Sequence, residues 1–448
     1  MAVHISRIFS LVFMVSVMLF ILSWEHLPKS LSWADFSGIY RRTGEARFHS
    51  HISFWEIKDN SPLLPTDTTT KNVDSTKTNP VVRLEAAEIK TDEDETPMPV
   101  LYKKSFEMLP RWDFEDVYNR DAPPRPTTCA HSLRNSKDES FRRAFLPDIR
   151  LFLHKDNINM SEWNRLSHFN NPFGFMEYKY DEVMASVKLI PKPEEPLLFP
   201  KPGGDGCVRC AVVATAGILN GSKMGAEIDA HDYVFRMNGA VIEGYENDVG
   251  NRTSVYVHTA HSMVASLYYF KKYGYKAAPH DEGIKYVMIP EGMRDFQWLE
   301  SLIKGEKIPY EGLFHNKELR TFYSGQYDES RFYVLNPDFL RYVRNRFLQT
   351  PHLNTSAWSM VRPTNGAFTL FLALHTCDKV SAYGFITNDY KKYSNYYMER
   401  DVKTDVTFYL NHDYLLEMDM WKELHNSKLI RLYQRTVSKT ETEDPKQR

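Results

Sequence analysis

An α/β sandwich on a mostly parallel sheet is the fold predicted for residues 127–448, and three observations predict it. Short β-rich runs recur, segments with helical spacing lie between several of them, and no internal repeat interrupts the alternation. Strand–helix alternation of this kind builds a parallel sheet covered on both faces. The runs are Cys210–Ala214 (CAVVA), Tyr233–Met237 (YVFRM), Ser254–His258 (SVYVH), Lys285–Ile289 (KYVMI), Phe332–Leu335 (FYVL) and Val380–Phe385 (VSAYGF). The helical segments are Pro337–Leu348, Gly366–Thr376 and His412–His425, the last with Leu415, Leu416, Met418, Trp421 and Leu424 at three- and four-residue steps. In such sheets ligands collect at the carboxyl ends of the strands, near the topological switch point. The loops after CAVVA and VSAYGF are therefore the expected site.

Composition sets the outer limits. The 448 residues carry 56 basic and 58 acidic side chains, a formal net charge of -2, which argues against nucleic-acid binding through bulk positive charge. At 42% hydrophobic and 14% aromatic the chain is too apolar for full-length disorder. A mean hydropathy of -0.48 with one long apolar run excludes a multi-span membrane protein.

That run is residues 8–24, IFSLVFMVSVMLFILSW, seventeen residues at the short end of what crosses a bilayer. A cleavable signal peptide is the alternative, but its apolar region is usually shorter, and no small-x-small site follows at once. The reading is an uncleaved signal anchor with residues 1–7 as a cytosolic tail, Arg7 and the amino terminus giving the orientation, and the rest lumenal. Asn159, Asn220, Asn251 and Asn354 are N-glycosylation acceptors by triplet. In an oxidising lumen Cys129, Cys207, Cys210 and Cys377 invite two disulfides, with three connectivities open. No second C-x-x-C or nearby His pair completes a zinc site around Cys207 and Cys210.

Residues 25–126 read as a flexible stem. The stretch 65–80 is Thr-rich, 91–99 is acidic and proline-punctuated, and neither holds a helix or strand period. Asp92, Glu93 and Asp94 are better read as a solvated charge run than as a metal triplet. Gly203-Gly204-Asp205-Gly206 precedes a strand rather than opening a helix, so it is a turn and not a phosphate cradle. There is no Walker loop, no complete G-x-G-x-x-G, no G-x-S-x-G and no H-E-x-x-H.

Three segments go further: Cys210 to Ser254 (CAVVATAGILNG…DAHDYVFRMNGAVIEGYENDVGNRTS), Arg362 to Phe385 (RPTNGAFTLFLALHTCDKVSAYGF), and His412 to Glu417 (HDYLLE). Their order and content closely resemble the sialyl motifs of the eukaryotic sialyltransferases, in particular the N-acetylgalactosaminide α2,6-sialyltransferases. The resemblance covers roughly Cys129 to Gln434. It implies a variant GT-A, Rossmann-type sandwich and a CMP-sialic acid donor. It also implies no metal or other cofactor, and inverting transfer to the 6-hydroxyl of GalNAc O-linked to Ser or Thr of glycoproteins. Both substrates belong to the Golgi lumen, which agrees with a single-pass type II anchor.

Carried over by residue, the resemblance makes His412 the catalytic base, a role suited to an imidazole whose ordinary pKa is about 6.5. Glu417 supports the site. Asn238 meets the donor nucleotide with an amide that both donates and accepts. Thr364, Asn365 and Gly366 open a helix whose N–H groups meet the donor's anionic part. Cys210 with Cys377, and Cys129 with Cys207, are the implied disulfides.

Two positions depart from the family. Thr215 stands where relatives carry an asparagine that contacts the donor, and Asn395, before Tyr396 and Tyr397, stands where they carry a histidine that meets the phosphate. A neutral amide in place of an imidazolium loses about 1.5–3 kcal/mol, roughly tenfold to a hundredfold in rate, with the Tyr396 hydroxyl as partial compensation. These departures motivate the alternative of a catalytically weak or silent relative acting as a lumenal glycan-binding or complex-forming protein.

Overall fold

The computed structural model describes residues 96–309 and 315–435. Seven strands form one sheet: β1 (Arg209–Val213), β2 (Tyr233–Met237), β3 (Val255–His258), β4 (Lys285–Met288), β5 (Phe332–Val334), β6 (Lys379–Tyr383) and β7 (Ile430–Leu432). Their order is β5-β4-β3-β2-β1-β6-β7 and every pairing is parallel. All of β3 and most of β1, β2 and β4 are buried, as a sheet covered on both faces requires. The first six strands fall on the six expected runs. The seventh, three residues long, lies in the chain's IRL segment.

Five helices carry the site: α1 (Ala260–Tyr269), α2 (Met293–Lys304), α3 (Pro337–Phe347), α4 (Asn365–Thr376) and α5 (Tyr414–Asn426). The sequence of α4, NGAFTLFLALHT, is apolar almost all round, and every residue from Ala367 to Thr376 is buried. From β1 the chain builds outward to β5, then returns through α3 and α4 to lay β6 on the other side of β1. The switch point is thus between β1 and β6, where Val213 lies beside Tyr383. Cys210–Cys377 ties β1 to the end of α4, and Cys129–Cys207 joins the start of the body to the approach to β1. This is the pairing that the resemblance implied. Bridges closing 167 and 78 residues of sequence restrict the unfolded chain by about 4–5 kcal/mol each in the loop-entropy picture.

The expected stem boundary at 126 is too late. Residues 96–126 are packed on the body: Leu109 is buried with Met176, Leu353 and Trp358, and Phe106 meets Trp112 and Trp358 edge-on. On α3, Arg341 donates to the carbonyls of Asp113 (3.1 Å), Glu115 (2.9 Å) and Val117, while Arg344 pairs with the buried Asp113. The segment is held by another element's guanidinium groups, so it needs no period of its own. Among the described residues no helix is long and apolar enough to cross a membrane. The tail 1–7, the run 8–24 and the stem through 95 lie outside the described residues.

Candidate functional site

The loops at the switch point are built by backbone pairing beyond the strand ends. Ala214 N–H donates to the Tyr383 carbonyl (2.8 Å) and Ala216 N–H to that of Gly384 (2.9 Å). Gly384 has φ +69°, and a Cβ there would stand 2.6 Å from the Ala214 carbonyl oxygen, so glycine is required. Tyr397 N–H donates to the Thr215 carbonyl (3.1 Å), which brings the Asn395–Tyr396 segment against the end of β1.

Asn238 ends β2 in a left-handed conformation, φ 52°, and its side-chain oxygen accepts from the Asn365 amide at 2.8 Å. Thr364 caps α4, its hydroxyl accepting from Ala367 N–H at 3.0 Å. At Gly366 a Cβ would meet only the Thr364 hydroxyl at 3.3 Å and the Phe385 ring at 3.6 Å. The 3.3 Å contact is tighter than an ordinary one, so a side chain there would press on the hydroxyl that caps α4.

Segment 362–364 and the start of α5 are joined rung by rung. Arg362 N–H donates to the Asn411 carbonyl (2.9 Å), and His412 Nδ1 lies 2.8 Å from the Arg362 carbonyl. Thr364 donates to Glu417 twice, from its N–H (2.6 Å) and its hydroxyl (2.7 Å). A carbonyl oxygen only accepts, so Nδ1 carries the proton and Nε2 keeps the lone pair. Burial, then the Arg362 charge, lower the His412 pKa to about 3, so the half-buried imidazole is neutral. Burial pushes Glu417 up to about 7 against the two bonds from Thr364. Asp413 caps α5 (Leu416 N–H, 3.1 Å) and accepts from the Thr350 hydroxyl (2.8 Å).

On the third side, Asn395 accepts from Thr407 N–H at 3.2 Å through its side-chain oxygen. Glu399 accepts from Tyr396 N–H (3.0 Å) and from the Thr404 hydroxyl (2.5 Å). Burial raises the Tyr396 pKa, which keeps the phenol protonated and a donor.

The structure thus gathers Thr215, Asn238, Thr364, Asn365, Gly366, Asn395, Tyr396, His412 and Glu417 around the carboxyl ends of β1, β2 and β6. The glycosylation candidates lie apart in sequence and setting: Asn159, Asn251 and Asn354 are exposed, while Asn220 is half-buried. Among the described residues no group of three His, Cys, Asp or Glu side chains is arranged to hold a metal ion. Sequence reasoning missed Arg362 and its ion-pair partner Glu291. It also missed the buried Asp295, which accepts from Ala260 N–H (2.8 Å) and Gly292 N–H (2.9 Å). Arg362 begins the RPTNGAF segment, which was the one signal available.

The model of glycosyltransferase family 29 (sialyltransferase) matches residues 152–429, more than half of the chain. The alpha-N-acetylgalactosaminide alpha-2,6-sialyltransferase 1 of Gallus gallus is 44% identical over 339 residues, 74% of this chain and 59% of that protein. The Homo sapiens counterpart is 44% identical over 338 residues, 56% of its length, so the chain spans little more than half of these two relatives. The alpha-N-acetylgalactosaminide alpha-2,6-sialyltransferase 2 of Mus musculus is 42% identical over 311 residues, 68% of this chain and 83% of that protein. A crystal structure of a mammalian sialyltransferase shares the fold, with a TM-score of 0.50 at 24% identity, covering 69% of this chain and 99% of that one.

Proposed function

The chain belongs to glycosyltransferase family 29, the sialyltransferases, and from that premise we propose that it transfers sialic acid from CMP-sialic acid to the 6-hydroxyl of GalNAc O-linked to Ser or Thr. Transfer inverts the anomeric centre in a single displacement and needs no metal. His412 Nε2 takes the acceptor proton as the hydroxyl attacks, and CMP leaves from the opposite face of the sugar. The backbone N–H groups at Thr364–Gly366, with Asn395 and Tyr396, meet the anionic groups of the donor. Asn238, Asn365 and Thr215 hold the nucleoside. Glu417 is a positioning residue that keeps the start of α4 in register with His412.

One observation carries the base assignment: the 2.8 Å contact from His412 Nδ1 to the Arg362 carbonyl, which presents Nε2 as the basic atom beside the start of α4. The relatives' names support the acceptor and linkage. The protein works in the Golgi lumen as a single-pass type II membrane protein, with residues 1–7 cytosolic and 8–24 in the membrane.

The test is to incubate the full chain, made through a secretory route, with CMP-sialic acid and a GalNAc-Thr peptide in the presence of chelator. Product detected by mass and sensitive to an α2,6-specific sialidase assay supports donor, acceptor, linkage and metal independence together. CMP binding without product favours the silent relative, with Thr215 and Asn395 as the cause.

A further inference from the structure

The outer face of α1 plays no part in the mechanism above. His261, Ala265, Tyr268 and Tyr269 stand at i, i+4, i+7 and i+8, on one side of the helix, while Ser262, Met263 and Ser266 are buried on the other. Ten residues make a wall about 15 Å long. Each of its ends lies within electrostatic reach of one of the two residues whose backbone holds His412. At the C-terminal end, Tyr269 acts electrostatically on Tyr409, whose carbonyl accepts from His412 N–H at 3.1 Å. The next residue, Phe270, packs edge-on to Tyr396 with ring centroids 4.9 Å apart. At the N-terminal end, His261 lies in the field of Arg294 and of Arg362, whose carbonyl holds His412 Nδ1.

Asp295 explains how Arg294 comes there. Its carboxylate accepts from Ala260 N–H and Gly292 N–H and so clamps the first turns of α1 and α2 together, with His261 and Arg294 immediately beside the clamp. The nearby carboxylates are engaged: Glu291 by Arg362, and Asp295, which is buried, by the two backbone donors. Arg294 is exposed and, among the described residues, forms no ion pair within 4 Å, although the buried Asp295 beside it lies in its field. The other end of the wall is aromatic and open, with Tyr268 80%, Tyr269 49% and Tyr409 56% exposed. Such rings give a sugar or a peptide backbone a flat apolar face to lie on.

We propose that this face of α1 is the acceptor wall, and that Arg294, with His261 beside it, receives a carboxylate carried by the acceptor. The proposal rests on the sialyltransferase reading. Of the groups assigned to the donor, Thr215, Asn238, Asn395 and Tyr396 follow β1, β2 and β6 and Thr364–Gly366 open α4, whereas α1 and α2 follow β3 and β4, so the wall lies on the side left to the acceptor. A guanidinium fork matches a carboxylate in shape and charge. The carboxylate comes from an acidic side chain of the acceptor peptide or from a sialic acid already on the acceptor glycan.

Three GalNAc-Thr acceptors distinguish these sources: a neutral peptide, the same peptide with Glu near the glycosylated Thr, and the neutral peptide with sialylated Gal on its GalNAc. The wild-type full chain is expected to use one carboxylate-bearing acceptor about twofold to fivefold better in kcat/KM than the neutral one, the scale of an exposed ion pair. Arg294→Ala removes that ratio and leaves the neutral peptide and CMP affinity unchanged, and Arg294→Lys keeps part of it. No preference in the wild type, or an equal fall on all three acceptors in Arg294→Ala, overturns the proposal. If the wild type transfers to none, the sialyltransferase reading fails by itself. Equilibrium binding of the same peptides then decides the wall, a ratio abolished by Arg294→Ala upholding it and equal binding overturning it.

Discussion

Replacing Glu417 by Gln changes one atom and removes one titration. In the folded chain the carboxyl is buried, and burial carries its pKa from the ordinary 4.5 to about 7 although Thr364 donates to it from both N–H and hydroxyl. The folded state therefore binds the proton more tightly than the unfolded one. Its stabilising contribution is whole below about pH 4.5 and is lost as pH rises toward 7, because only the unfolded chain ionises freely in that window. Each pH unit across the window removes about 1.4 kcal/mol, so the whole passage removes about 3 kcal/mol. Gln does not titrate and, like the protonated acid, keeps one accepting oxygen for the Thr364 N–H and turns a donor toward the Thr364 hydroxyl oxygen. Relative to wild type, Glu417→Gln should gain about 3 kcal/mol between pH 4.5 and 8. Asp295, also raised to about 7 by burial, tilts both curves alike and drops out of the difference. Chemical unfolding of both proteins, disulfides intact, at pH steps across the window measures it. A gap that stays constant with pH would refute the reasoning, since it would mean that Glu417 ionises equally in both states.

Three further outcomes follow from the same geometry. His412→Ala should lower kcat by about 10²- to 10⁴-fold with CMP affinity retained; because the imidazole is held near 3, wild-type kcat/KM should show no acid limb around pH 6.5, and full activity in the variant would remove the base assignment. Asn395→His places an ionisable donor beside Tyr396 and should raise kcat about tenfold at mildly acidic pH, read by initial-rate assay, whereas an unchanged rate would mean that the phosphate is met elsewhere. Asp113→Ala leaves Arg344 buried without its partner and should cost about 3–5 kcal/mol in unfolding experiments, a loss that a segment merely resting on the surface would not cause.

How much of this was legible depends on where each residue finds its partners. CAVVA, SVYVH and KYVMI could be read as strands because a parallel strand buried on both faces must be apolar throughout. Ile430–Leu432 could not, since three residues with an exposed arginine in the middle set no period. Residues 96–126 look unfoldable alone because their carbonyls are answered by Arg341, more than two hundred residues later. The switch point follows from the alternation itself, and the β1–β6 neighbourhood it predicts is the one the sheet order has. The contacts inside the site were another matter. Asn238 and Asn365 are 127 residues apart, and only the resemblance put them in one site. The deepest gap is at His412. Which of its nitrogens is basic is decided by the Arg362 backbone carbonyl, an atom every residue possesses, and no pattern of side chains encodes that choice. A sequence names the imidazole; only the fold, by bringing segment 362–364 against the start of α5, says which end of it can take a proton.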